Sequence, residues 1–212
     1  MRTGIALLAG GALLASCAGS PPPDWQPAAR AALASHQSAY LAGNSRAADA
    51  ELARAHSELG ATARLDLAAR AELFRCALQV ASLEFDDCPG YQRYAADAAP
   101  PERAYAAYLS GNWQGLNVAA LPAAQQTVIA RGGEALAAID DPLSRLVAAG
   151  ALMRAGSIAP SGIALAIDTA SANGWRRPLL AWLGIEARRA EAAGDSAAAA
   201  YLRRRIRQAS EP

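Results

Sequence analysis

The 212-residue sequence contains no lysine; apart from two histidines, every basic side chain is arginine. That absence excludes a phosphate loop ending in Gly-Lys-Ser/Thr, a Schiff-base lysine and a Ser-x-x-Lys acylation centre. Neither Gly-x-Ser-x-Gly nor His-Glu-x-x-His occurs. There are only two phenylalanines, and β-branched residues are sparse, so there is little from which to build a sheet. No apolar run approaches the ~20 residues that span a bilayer as a helix. Charge of one sign is not in excess either: the net charge is +1, a balance that argues against general nucleic-acid binding. What dominates is Ala, Leu and Arg, the best helix formers. The length suits one domain with a single core.

The first residues have their own pattern. Met1-Arg2 is a short positive start, and residues 5–15 form an apolar run suited to the core of a signal peptide. The run ends in Leu14-Ala15-Ser16-Cys17. This resembles the bacterial lipobox, a leucine and two small residues before a cysteine. The resemblance implies export, cleavage after Ser16 and diacylglycerol on Cys17. Two or more acyl chains anchor stably, at roughly 0.8 kcal/mol per buried CH₂. Removal of Arg2 with the leader leaves nineteen arginines against nineteen acids. Ala18, not Asp, follows the cysteine, which in the lipoprotein family favours the outer membrane, facing the periplasm. Residues 17–27 read as a lipidated, proline-rich tether; Pro21-Pro22-Pro23 favours an extended segment of about 3.1 Å per residue, reaching about 30 Å. The chain as a whole resembles uncharacterised lipoproteins of GC-rich Gram-negative bacteria, a likeness that carries no activity.

With Cys17 lipidated, Cys76 and Cys88 remain as an even pair in an oxidising compartment. Cys88 precedes Pro89-Gly90, a turn able to fold it back along the helix that carries Cys76. A disulfide is expected, closing a loop of about thirteen residues worth roughly 3 kcal/mol. A metal site is not, since no His or third Cys lies nearby in sequence. No cofactor is expected.

Residues 28–212 read as a single all-α domain. The segment 66–85 is apolar on most sides, through Leu67, Ala71, Phe74, Leu78, Ala81 and Phe85 and a second stripe of Leu73, Val80 and Leu83. Only the line Glu72, Arg75, Gln79 and Ser82 is polar. Such a helix belongs in the centre of a fold; Asp66 is the expected cap. Before it, 27–42 and 45–59 form a helical hairpin broken at Gly43-Asn44. Further helices are expected over 101–110, 122–139, 142–155, 161–172, 178–193 and 196–209.

Tyr40-Leu41-Ala42-Gly43-Asn44 reappears 68 residues later as Tyr108-Leu109-Ser110-Gly111-Asn112. Gly156-Ser157 and Gly194-Asp195 are weaker echoes, each a helix stop followed by a capping residue. Ala48, Leu52 and Ala55 follow Gly43 at the steps seen in tetratricopeptide repeats, and the offset is twice that family's period of about 34. The chain therefore resembles stacked antiparallel helical hairpins of tetratricopeptide type. The pattern is irregular, because Pro122 interrupts the second copy and the later ones match poorly.

Candidate sites are few. Asn112, Trp113, Gln114 and Asn117 place an indole among amides, a combination able to stack on and hydrogen-bond a sugar such as a peptidoglycan strand; a packing role at a hairpin junction is the stronger reading. Trp175 and Trp182 read as core or interhelix anchors. His36 and His56 stand on opposite arms of the first hairpin, offset by about 7 Å along its axis, and read as packing or surface residues. Asp86-Asp87 and Asp140-Asp141 read as caps and turns. Residues 174–212 hold eight arginines against four acids, including Arg176, Arg177, Arg188, Arg189, Arg203, Arg204, Arg205 and Arg207. That end is either a solvated face, the stronger reading, or a basic face for an anionic partner or lipid headgroups. The expected function is a membrane-anchored helical scaffold that binds another envelope protein. A peptidoglycan or glycolipid binder is second and a hydrolase third, since no catalytic set is recognisable.

Overall fold

A computed structural model describes residues 24–211; Cys17, the leader and most of the tether lie outside the described residues. Ten α-helices follow one another among them: α1 Trp25–Leu41, α2 Ser45–Gly60, α3 Leu65–Ala81, α4 Pro89–Gln92, α5 Pro100–Leu109, α6 Ala123–Arg131, α7 Pro142–Arg154, α8 Pro160–Ala172, α9 Arg176–Ala192 and α10 Ser196–Ser210. Two 3₁₀ turns, Val118–Ala120 and Gly132–Ala138, interrupt the series. The described residues contain no strand, and the fold is all-α. No helix among them is long and apolar enough to cross a membrane.

The helix α3 occupies the centre. It packs on α1, α2, α5 and α7 and supplies residues to all three clusters of the core. Leu73, Leu78 and Val80 are buried there, each worth roughly 1.5–3 kcal/mol of transfer from water. Around this centre α1 pairs with α2, α7 with α8, and α9 with α10, while α8 also packs on α9.

Helix ends explain the pairing. After α1 the Gly43 N–H reaches the Tyr40 carbonyl and the Asn44 N–H the Ala39 carbonyl, and Asn44 then caps α2 through Ala47 N–H at 3.1 Å. The same bond pattern closes α7 at Gly156, α8 at Gly174 and α9 at Gly194. Asp195 caps α10 as Asn44 caps α2, and Asp141 caps α7. Ser157 caps nothing; its hydroxyl lies 3.4 Å from the Leu152 carbonyl, and α8 starts later, at Pro160.

Several expected boundaries move. α1 begins at Trp25, inside the segment read as tether, and takes Pro27 into its first turn, where the missing N–H costs nothing. Asp66 does not cap α3, which begins at Leu65; it sits in the first turn and pairs with Arg64 at 2.6 Å. α3 stops at Ala81, four residues before Phe85. Leu83 takes a left-handed conformation, φ 59°, the Glu84 N–H returns to Gln79, and Trp182 from α9 donates its indole N–H to the freed Ala81 carbonyl at 3.0 Å. The stretch 122–139 is not one helix, because Gly132-Gly133 turns its second half into a 3₁₀ segment. The second copy of the five-residue stop makes no hairpin. Gly111 has φ 73° and ends α5, but a Cβ there would press on the backbone of Arg154 and Ala155. No helix follows until α6, and Asn112 caps none.

Candidate binding cavity

The break after α5 has a consequence for the surface. Where a paired helix would lie, the chain runs through an irregular stretch and one 3₁₀ turn before α6. A cavity of about 720 Å³ lies against this region, within the range of ligand pockets. Its walls come from five segments: α3 with Leu73 and Phe74, α5 with Glu102 and Tyr105, the stretch through Leu121 and Pro122, α6 with Gln125, and α7 with Ser144. Most of this wall is carbon.

Two polar side chains in it are buried. Glu102 is 5% exposed and Gln125 6%. One Glu102 oxygen accepts from Nε of Arg70 at 2.5 Å; the other, Oε2, has no partner, and neither has Oε1 of Gln125. Burial also pushes the Tyr105 phenol up to about 12, so it stays a neutral hydroxyl. Tyr105 stacks on Tyr108 at 6.1 Å, and Tyr108 on Trp113 at 5.7 Å with planes 4° apart. This aromatic ladder runs from the cavity to the 112–117 loop.

Trp113 is therefore a packing anchor on one face, and its indole N–H donates to the Tyr108 carbonyl at 3.0 Å. Asn112, Gln114 and Asn117 stand exposed around it. Cys76 and Cys88 are joined in a disulfide, Cα atoms 5.7 Å apart. They also form, with Asp86, the one grouping of potential metal ligands found among the described residues, and the bond between the sulfurs occupies both. Trp182 is wholly buried, an anchor as expected. Arg176 and Arg177 are not part of a free basic face: they bond to the end of α1 at Ala42 and Tyr40. Arg189 pairs with Glu186 and Arg203 with Glu191 on the surface.

A second, smaller cleft of about 380 Å³ contains His56 and Glu72. The polar line of α3 is not solvated. Glu72 and Ser82 are buried, and Glu72 receives His56 Nε2 at 2.8 Å and Arg75 at 2.9 Å. Burial opposes its charge, but those two hydrogen bonds outweigh burial and hold its carboxyl down at about 2. Gly90 of α4 covers the same carboxylate so closely that any Cβ would strike it. A histidine held by a carboxylate is the pair that general bases use. Here no Ser, Thr or Cys lines the cleft to be activated, and Arg75 also holds the carboxylate. The pair reads as an internal strut between α2 and α3. His36 is also internal. Its Nδ1 donates to the Ala48 carbonyl at 2.8 Å, and burial lowers its pKa.

Neither cavity brings two carboxylates together: Glu102 is alone in one and Glu72 in the other. Sequence reasoning missed Arg70, Glu102, Tyr105 and Gln125 because the cavity is a gap between segments, with no spacing to mark it. Compared with protein-family models, curated proteins and solved structures, the chain has no significant match.

Proposed function

We propose that this chain is a lipid-anchored envelope protein whose helical domain docks another envelope protein and performs no chemistry on it. The anchor is the diacylglycerol on Cys17, and the short proline-rich tether keeps the domain near its membrane, the outer one, on the periplasmic side. The single observation that carries the docking role is the cavity of about 720 Å³ walled by carbon from five segments, with one carboxylate already paired to Arg70. A surface assembled from successive helical elements suits protein recognition, and an apolar recess among them is where a partner's side chain anchors best.

The test is a photo-crosslinking side chain at Ala124, in the cavity wall, in cells that make the protein. A defined envelope protein should be trapped there and not from the same probe at Arg188, an exposed residue of α9. Equal trapping from both positions, or none, would remove the docking role. The anchor is tested separately: Cys17→Ser should abolish fatty-acid labelling.

A further inference from the structure

Pairing within the fold removes half of the arginines from the basic C-terminal end. Arg176 and Arg177 hold the end of α1, and Arg189 and Arg203 meet Glu186 and Glu191. Arg204, Arg205 and Arg207 remain, within four positions of α10, a helix with four arginines and no acid. None of the three has an acid partner among the described residues. Arg30, Arg46 and Arg131 lack one too, but they stand singly, on α1, α2 and α6. The helix dipole favours cations only in the last turn, which accounts for Arg207 and not for Arg204 or Arg205.

α10 is an edge helix. It rests chiefly on α9 through Ala199 and Leu202, and its opposite face is free. Tyr201, Arg204 and Gln208 follow one another along that face at steps of three and four, with Arg205 and Arg207 on either side. Tyr201 is 54% exposed, and the guanidinium carbons of Arg204 and Arg205 each lie 5.9 Å from its ring centre. Guanidinium groups bind phosphate oxygens in pairs, and a tyrosine ring settles where headgroups meet acyl chains. Charge elsewhere has the other sign: residues 174–212 hold eight arginines to four acids, and the rest of the chain after Ser16 eleven to fifteen. A neutral molecule so polarised turns this end towards a negative surface.

We propose that the outer face of α10 lies on an anionic phospholipid surface, with Arg204, Arg205 and Arg207 on headgroup phosphates and Tyr201 at the interface. That this surface is the membrane of the Cys17 anchor rests on the function proposed above. The reach suffices. Arg176 donates to the carbonyls of both Ala42 and Glu211, so α10 ends beside the end of α1 remote from the tether. α1 is about 25 Å long, and the eight residues from Cys17 to Trp25 span up to about 28 Å.

The test is flotation of the full chain carrying Cys17→Ser, which no lipid holds, with vesicles of one lipid. At ~0.05 M salt, phosphatidylglycerol vesicles should take up the chain at least tenfold better than phosphatidylcholine vesicles, and added salt should shrink the difference. Arg204→Gln, Arg205→Gln and Arg207→Gln together should weaken binding to phosphatidylglycerol at least tenfold, since each arginine at an anionic surface is worth about fivefold. Arg30→Gln, Arg46→Gln and Arg131→Gln together change the net charge equally and should leave most of the binding. Equal uptake by the two lipids, or equal losses in the two triple variants, would overturn the lipid face. So would a photo-crosslinking side chain at Tyr201 that traps protein and no phospholipid in cells. The anchor is judged by fatty-acid labelling at Cys17, so either can fail while the other stands.

Discussion

Arg177 lies over the ring of Tyr40, its guanidinium carbon 4.2 Å from the ring centre, although 137 residues separate the two. The same guanidinium donates to the Tyr40 carbonyl at 2.8 Å, to Ser45 Oγ at 2.7 Å and to Glu84 at 2.9 Å, while the Tyr40 hydroxyl donates to the other Glu84 oxygen at 2.7 Å. Two of these bonds and a ring face tie the first hairpin directly to the start of α9, and Glu84, beyond the end of α3, bridges the two through the other pair. Arg177→Ala should lower unfolding free energy by about 2 kcal/mol, the sum of a partly desolvated cation–π contact and charged hydrogen bonds. Arg177→Lys should recover little, since a point charge cannot reproduce a planar fork with several fixed donors. Urea denaturation of the two variants decides; full stability in the lysine variant would mean that charge alone holds the tie.

The disulfide closes a short loop at the far end of α3, with Cys76 and Cys88 twelve residues apart. Replacing both with Ser should cost roughly 3 kcal/mol through the entropy of the unfolded chain. Oxidatively folded protein carrying Cys17→Ser should show no reactive thiol after denaturation. Two titratable thiols would contradict the bond.

His36 should make the fold sensitive to mild acid. Its ring is buried against Tyr40 and Phe74, and its Nε2 has no partner. Burial lowers its pKa below 6.5, so the unfolded chain takes up a proton before the folded one does. Stability from this group is present above about pH 6.5 and is lost below it, by up to about 1.4 kcal/mol per pH unit until the folded pKa is reached. Glu72 acts in the same sense lower down, from about 4.5 towards about 2. Urea midpoints at about pH 7.5 and about pH 5.5 should differ in the native protein and converge in His36→Gln.

Trp113→Ala separates packing from glycan binding. Loss of the stack on Tyr108 and of the bond to its carbonyl should cost up to about 3 kcal/mol, the lower end for a Trp truncation, because the ring is half-buried. Sedimentation with peptidoglycan should not change. Binding to peptidoglycan that vanishes in this variant at an unaltered melting temperature would restore the sugar-stacking role.

What could be read ahead of the structure was local. A helix apolar on nearly every side, as around Leu73, Leu78 and Val80, has to be surrounded, and α3 is. Gly43 and Gly194, each followed by a side chain able to cap, give the same turn in both places. What escaped was set from a distance. α3 ends at Ala81 partly because Trp182 takes its carbonyl from 101 residues away. Gly111 repeats the letters of Gly43, but it sits against the end of α7, and the chain there is diverted. The partners of Glu72 escaped as well, because nothing near it in sequence announces His56 or Gly90 above it. The cavity is legible in no segment alone.

The position of α3 also grades the molecule in time. Its amide protons lie beneath α1, α2, α5 and α7, so they exchange with solvent only when the whole assembly opens. α10 rests chiefly on α9 and buries only Ala199 and Leu202 deeply, so its amides open by local fraying, far more often. A pulse of heavy water would label the chain from its C-terminal end inwards, and α3 would carry the last protium to leave.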